Sequence, residues 1–86
     1  MTITLDGIQM SDRTVIHALL SEALAFPAHY GKNLDALYDM LTERSAPLTI
    51  IVTKKEALSG YGLQLMHTLR DAANNNPAIN VEEKDC

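Results

Sequence analysis

The chain has 86 residues and a net charge of −4. This length predicts a single domain over residues 1–86, and 47% hydrophobic with 21% charged residues is typical of a globular protein. The acidic balance excludes a general affinity for nucleic-acid phosphates, which depends on Lys and Arg, and it favours a basic protein partner.

Cysteine usage and the N-terminal segment indicate the compartment. Cys86 is the only cysteine, so an intramolecular disulfide cannot form, whereas small secreted domains commonly depend on disulfides. The N-terminal residues lack the basic and apolar regions of a secretory signal, and the longest aliphatic run, residues 48–52, is far too short to span a bilayer. We expect a cytoplasmic protein that does not bind membranes and in which Cys86 has no redox role.

The first half of the chain predicts one strand and two helices. Residues 2–5 alternate polar and apolar side chains, as a short strand does. Ser11 is a candidate N-cap for the first helix, with Asp12 in the first turn and an apolar stripe that ends before Pro27. Asn33 is a candidate N-cap for the second helix, because its side chain can accept a hydrogen bond from a free backbone N–H.

The second half of the chain predicts two further strands. Residues 48–52 form a nearly continuous aliphatic run, typical of a strand covered on both faces or lying at the centre of a sheet. A helical turn is expected at 54–58, a longer helix at 63–73 and a short last strand at 78–81. Helical crossovers between successive strands favour parallel pairing. We therefore predict an α/β fold in which a small three-stranded parallel sheet is packed with about four helices.

Few residues offer catalytic chemistry. The chain has no Gly-rich phosphate loop and no cysteine cluster, and its three histidines, His17, His29 and His67, lack the spacing of metal ligands. We expect His17 to be a structural histidine beside the apolar stripe of the first helix, and His67 to face outward or pack at a helix edge. The sequence therefore predicts no cofactor, no metal and no catalytic residue.

Asp35 and Asp39 are the most prominent pair of charged residues. Because they are four residues apart on the second helix, they share one face at roughly 6 Å between Cβ atoms, and their repulsion destabilises the helix by about 0.2–0.5 kcal/mol. Most such pairs are simply solvated. A general acid–base site is a second interpretation, but it needs a concave, partly dry pocket. A third interpretation, negative charge presented to a cationic pocket on a protein partner, agrees with the net charge.

The segment 30–41, Tyr-Gly-Lys-Asn-Leu-Asp-Ala-Leu-Tyr-Asp-Met-Leu, resembles the signature of the barstar family. These proteins are intracellular inhibitors of microbial guanyl-preferring ribonucleases such as barnase, and their pattern is roughly Tyr-Tyr-Gly-x-Asn-Leu-Asp-Ala-Leu-Trp-Asp-x-Leu. Elsewhere the resemblance is weaker but extends over nearly the whole chain, including Leu69-Arg70-Asp71-Ala72. It implies a barstar-like fold and a ribonuclease inhibitor, or an immunity protein against an RNase-type toxin, rather than an enzyme.

The resemblance also implies a partner-binding surface. In the family, the loop and helix corresponding to residues 29–42 block the ribonuclease active site. Asp39 then matches the carboxylate that takes the position of the substrate phosphate. Asp35 matches a second acidic contact, and Asp71 stands where a glutamate forms a peripheral ion pair. The other implied contacts are His29, Tyr30, Gly31, Asn33, Leu34, Tyr38 and Thr42. The implied partner is a basic ribonuclease of the barnase type or a related RNase toxin, without direct binding of nucleic acid.

Three residues in this segment depart from the family pattern. His29 stands where relatives commonly have a tyrosine that stacks on the enzyme, and Tyr38 replaces a tryptophan. Lys32 adds a positive charge within the acidic surface. These departures predict a target other than barnase itself.

Two other functions remain open from the sequence. An acidic interaction module for some other basic partner would bind without inhibiting a ribonuclease. A small carboxylate-based hydrolase built on Asp35, Asp39 and His29 would turn over its substrate without a partner.

Overall fold

Three parallel strands form one sheet in a computed structural model that describes residues 1–10 and 12–84. The strands are β1 (Thr2–Asp6), β2 (Leu48–Thr53) and β3 (Ile79–Lys84). Their order in the sheet is β1–β2–β3, so the middle strand in sequence is also the central strand. The helices are α1 (Arg13–Leu24), α2 (Leu34–Thr42) and α3 (Tyr61–Asn75), and two 3-10 turns lie at Gly7–Gln9 and Lys55–Ala57.

The aliphatic run of the sequence forms the central strand. In β2, Ile50 pairs with Ile3 of β1 and Val81 of β3. Leu48, Ile50 and Val52 are buried, whereas the alternate residues of the strand are half-buried. The strand is central, which is one of the two placements that its composition predicts, and the expected parallel pairing is confirmed at both of its edges.

The core lies between this sheet and one face of each α-helix. Its fully buried side chains recur at helical spacing, and burial stabilises the fold by about 1.5–3 kcal/mol for each large aliphatic side chain. These helical core residues include Ile16, Leu20, Leu37, Leu41, Leu65 and Leu69. Within the described ranges no helix is both long enough and apolar enough to cross a membrane.

The helix ends confirm one predicted cap and correct another. Asn33 caps α2 as expected, since its Oδ1 accepts a hydrogen bond from the Ala36 backbone N–H at 2.7 Å. At the start of α1 the cap is Asp12, whose Oδ1 accepts from the Thr14 N–H at 2.7 Å. Ser11, the predicted cap, lies outside the described residues. Both Asp and Ser are good capping residues, so neighbouring candidates cannot be separated by residue type.

The expected number of about four helices is too high. Residues 54–58 form only a 3-10 turn, because Lys54 adopts a left-handed backbone conformation (φ 52°) and Leu58 is extended. The predicted 63–73 helix is longer at both ends and begins at Tyr61. A Cβ on Gly62 would lie 2.8 Å from the Met10 carbonyl oxygen, so glycine lets this first turn pack directly on that backbone.

Candidate partner-binding site

The helix α2 presents two carboxylates to solvent while its opposite face enters the core. Asp35 and Asp39 are exposed one turn apart, and Leu37, between them in sequence, is completely buried. Asp35 also lies in the first turn, where the positive end of the helix dipole favours a negative charge. The buried leucines thus fix the direction in which the acidic face points.

Neither carboxylate is neutralised within the described part of the chain. The ion pairs found there join Lys54 to Asp6 and Glu83 to Lys55 and Arg70, and none involves α2. The side chains of Asp35 and Asp39 accept no hydrogen bond from residues 1–10 or 12–84 either. Both carboxylates are therefore accessible to a cation from outside this part of the chain.

The loop before α2 is tied to the helix by its cap. His29, Gly31 and Lys32 are exposed, and Asn33 and Leu34 are half-buried. While Asn33 caps the helix, its Nδ2 donates a hydrogen bond to the Gly31 carbonyl oxygen at 3.2 Å. The loop and the first turn of α2 consequently form one continuous surface with a defined relative position.

A buried hydrogen-bonded group supports this loop from below. His17 of α1 is 1% exposed, and its Nδ1 and Nε2 lie 2.7 Å from the hydroxyls of Tyr30 and Tyr61, respectively. A neutral imidazole satisfies both contacts, since one ring nitrogen donates and the other accepts. Burial and the neighbouring Tyr61 raise the pKa of Tyr30 to about 12. The expectation of a structural histidine agrees with this arrangement.

Tyr30 therefore differs in position from the other candidate contacts. Its side chain is only 6% exposed and belongs to the hydrophobic core, where it also packs against Phe26. It holds the loop in place through His17. A direct contact between Tyr30 and a partner stays a prediction.

Lowering the pH below about 6.5 is expected to destabilise the protein through His17. Burial, and secondarily the Arg13 guanidinium, lower the pKa of His17 below its usual value of 6.5. Between the lowered pKa of the folded state and 6.5, the unfolded chain binds more protons than the folded chain, so the free energy of unfolding decreases as the pH is lowered. Urea unfolding at pH 7.5, 6.5 and 5.5 measures this dependence.

The matched variants are His17→Gln and His67→Gln. The first should flatten the pH dependence between 7.5 and 5.5, and the second should preserve it, since His67 is exposed on α3. An unchanged slope in His17→Gln would assign the pH dependence to other groups.

The C-terminal half of α2 contacts α3 through polar side chains. Asn75 Nδ2 donates to the Tyr38 hydroxyl at 2.8 Å and to the Asp71 carbonyl oxygen at 3.0 Å. The structure thereby brings the Asp71 turn of α3 against the Tyr38 turn of α2. Thr42 Oγ1 donates back to the Tyr38 carbonyl oxygen at 2.9 Å, and Asp71 is exposed.

Asn76, between the predicted 63–73 helix and the last strand, is a positioning residue. It is 7% exposed, and its Nδ2 donates to the carbonyl oxygens of Leu41 (2.9 Å) and Arg44 (2.8 Å). Its Oδ1 accepts from the Ala78 N–H at 3.0 Å. The side chain therefore fixes the end of α2 to the start of β3. An Asn-Pro pair after a helix predicts a turn, but it does not reveal a distant partner.

The geometry defines a small α/β protein with an acidic surface helix. Within residues 1–10 and 12–84, no group of three or more His, Cys, Asp or Glu side chains could hold a metal ion. Residues 1–83 match the family described as Barstar (barnase inhibitor), and the chain belongs to the barstar family. It is similar to the "Putative ribonuclease inhibitor YrdF" of Bacillus subtilis (strain 168), at 35% identity over 75 residues that cover 81% of this chain and 82% of that protein. The predicted family and fold class are confirmed.

Proposed function

We propose that this protein inhibits a ribonuclease of the barnase type, or a related RNase toxin, by covering the enzyme's active site with α2 and the loop before it. The observation that carries the proposal is the pair of unneutralised carboxylates, Asp35 and Asp39, on a helix fixed by its buried face. Membership of the barstar family and similarity to a protein named as a ribonuclease inhibitor support the same function.

In the proposed mechanism the carboxylates replace RNA phosphate. A ribonuclease must hold cationic side chains around the phosphate that it cleaves, and a carboxylate can accept hydrogen bonds from the same cations. Asp39 takes the phosphate position, Asp35 makes a second contact, and Asp71 forms a peripheral ion pair. The surrounding surface comprises His29, Gly31, Asn33, Leu34, Tyr38 and Thr42.

The proposed role is binding without catalysis. General acid–base chemistry needs a carboxyl group whose proton affinity is adjusted in a dry pocket. Asp35 and Asp39 instead lie exposed on a helix surface. The proposal therefore predicts no RNA cleavage by the chain alone.

Titration of a panel of small guanyl-preferring ribonucleases with the purified chain tests this function. We expect the cleavage of an RNA substrate by at least one enzyme to fall linearly and to end at one chain per enzyme molecule. The chain alone, incubated with the same RNA, serves as the control for turnover. If no enzyme in the panel is inhibited, the proposed target is wrong; if the chain alone cleaves RNA, the non-catalytic role is wrong.

A further inference from the structure

A small basic cleft lies beside the acidic helix, between α1 and the loop before α2. Its volume is about 260 Å³, and both cations near the loop, Arg13 and Lys32, line it. The other lining residues are Thr14, His17, Ala18 and Gly31. The size suits one side chain or a small anion rather than an extended ligand.

Arg13 is held in position without being neutralised. Its Nη2 donates a hydrogen bond to the Lys32 carbonyl oxygen at 3.4 Å, and its Cζ lies 5.8 Å from the centre of the Tyr61 ring. In the described part of the chain neither Arg13 nor Lys32 forms an ion pair with a carboxylate. The planar guanidinium is therefore oriented but still free to bind an acidic group, for which it can supply two parallel hydrogen bonds.

Lys32 is an unfavourable residue for the backbone that it occupies. Its φ of 54° lies in the left-handed region, which favours glycine or asparagine. Because Lys32 is exposed, packing of its side chain does not account for a lysine at this position. What Lys32 adds at this position is a positive charge that lines the cleft.

The cleft is continuous with the acidic surface through Arg13. This residue also lines a second groove, of about 440 Å³, together with Asn33, Leu34 and Asp35. A partner that covers Asp35 therefore also reaches Arg13. The binding surface is thus acidic along α2 and basic at its edge.

We infer that the partner carries an Asp or Glu side chain at the rim of its cationic site, and that this carboxylate enters the cleft and pairs with Arg13 and Lys32. The inference rests on the proposed function and adds a rule for target choice. A ribonuclease with a carboxylate at that rim position is bound, and one with a cation there is repelled.

The test compares Arg13→Gln/Lys32→Gln with Lys84→Gln/Arg44→Gln, which removes the same two charges outside the cleft. Against a ribonuclease that the wild type inhibits, the cleft variant should bind at least about tenfold more weakly and dissociate faster, because it loses the ion pair, whereas both variants gain the same long-range attraction to a basic enzyme. The control should stay within about twofold. Circular dichroism and thermal unfolding establish that each variant is folded.

Two further measurements separate charge from structure. Lys32→Asn suits the left-handed backbone, so it should raise the melting temperature and still weaken binding. Replacing the rim carboxylates of the enzyme one at a time by amides should identify one position at which binding becomes weaker. In the enzyme variant at that position, adding Lys32→Gln to the inhibitor should not weaken binding further.

The possible outcomes separate the two proposals. If the cleft variant inhibits as tightly as the wild type, or more tightly, the inference is wrong and the proposed function stands. If the wild type inhibits no ribonuclease, the proposed function fails and the inference fails with it. Weaker binding by the cleft variant together with unchanged binding by the control supports both.

Discussion

Replacing Asp39 with alanine is expected to weaken the complex with a ribonuclease by about 2–5 kcal/mol, or roughly 30- to 4,000-fold, because a cationic pocket of the enzyme is left buried and unpaired. The fold should not be weakened. Asp39 is exposed, and its removal relieves repulsion with Asp35, which is worth about 0.2–0.5 kcal/mol. Isothermal titration or inhibition kinetics measures the affinity, and urea unfolding measures the stability.

Weaker binding by Asp39→Ala, together with a stability that is not reduced, would identify Asp39 as a binding residue. Glu22→Ala is the matched control, since Glu22 is an exposed carboxylate on α1 and its loss changes the net charge equally. It should alter affinity by less than about threefold, the size expected for a distant charge in salt solution. Equal losses for Glu22→Ala and Asp39→Ala would mean that net charge, rather than a specific contact, determines binding.

Asn76→Ala is expected to lower the free energy of unfolding by about 2–4 kcal/mol, because it removes the donors that bind the carbonyl oxygens of Leu41 and Arg44. The Ala78 N–H also loses its acceptor. A domain of this size has a total stability of roughly 4–13 kcal/mol, so the loss is a large fraction of it. Thermal unfolding should show a decrease of roughly 10–25 °C in the melting temperature.

Asn74→Ala provides the control for this effect. Asn74 has the same side chain and lies two residues away, but it is exposed. It should change the stability by less than about 0.5 kcal/mol. Asn76→Asp should be no better than Asn76→Ala, since a carboxylate cannot donate to the two carbonyl oxygens. A small effect of Asn76→Ala would mean that water replaces the side chain at the end of α2.

Much of the fold could be predicted because local patterns and packing agree. The aliphatic run in β2 and the Asn33 cap of α2 follow from residue type and spacing alone. The number of helices could not be predicted in the same way. Residues 54–58 have apolar and charged residues compatible with a helix, but the left-handed Lys54 and the extended Leu58 limit them to one 3-10 turn.

The candidate site was predicted less completely than the fold. The exposure of Asp35 and Asp39 follows from helical periodicity, because Leu37 and Leu41 require the opposite face. The burial of Tyr30 could not be inferred, because it depends on contacts between residues that are far apart in sequence. Tyr30 contacts His17, which is 13 residues away, and His17 contacts Tyr61, which is 44 residues away. Similarly, the basic cleft depends on Arg13 reaching the backbone of Lys32, which no spacing rule predicts.

The dependence of α2 on Asn76 also sets an order of events during synthesis. A ribosome makes the acidic helix, residues 34–42, well before it makes the residue that fixes the end of that helix. Likewise, both edges of the central strand β2 can be paired only after β3 has been synthesised. A nascent chain that has not yet exposed residue 76 therefore carries the acidic residues without the contacts that fix the end of α2. The proposed binding surface therefore gains its fixed geometry late, when α3 has left the ribosome and packed against α2.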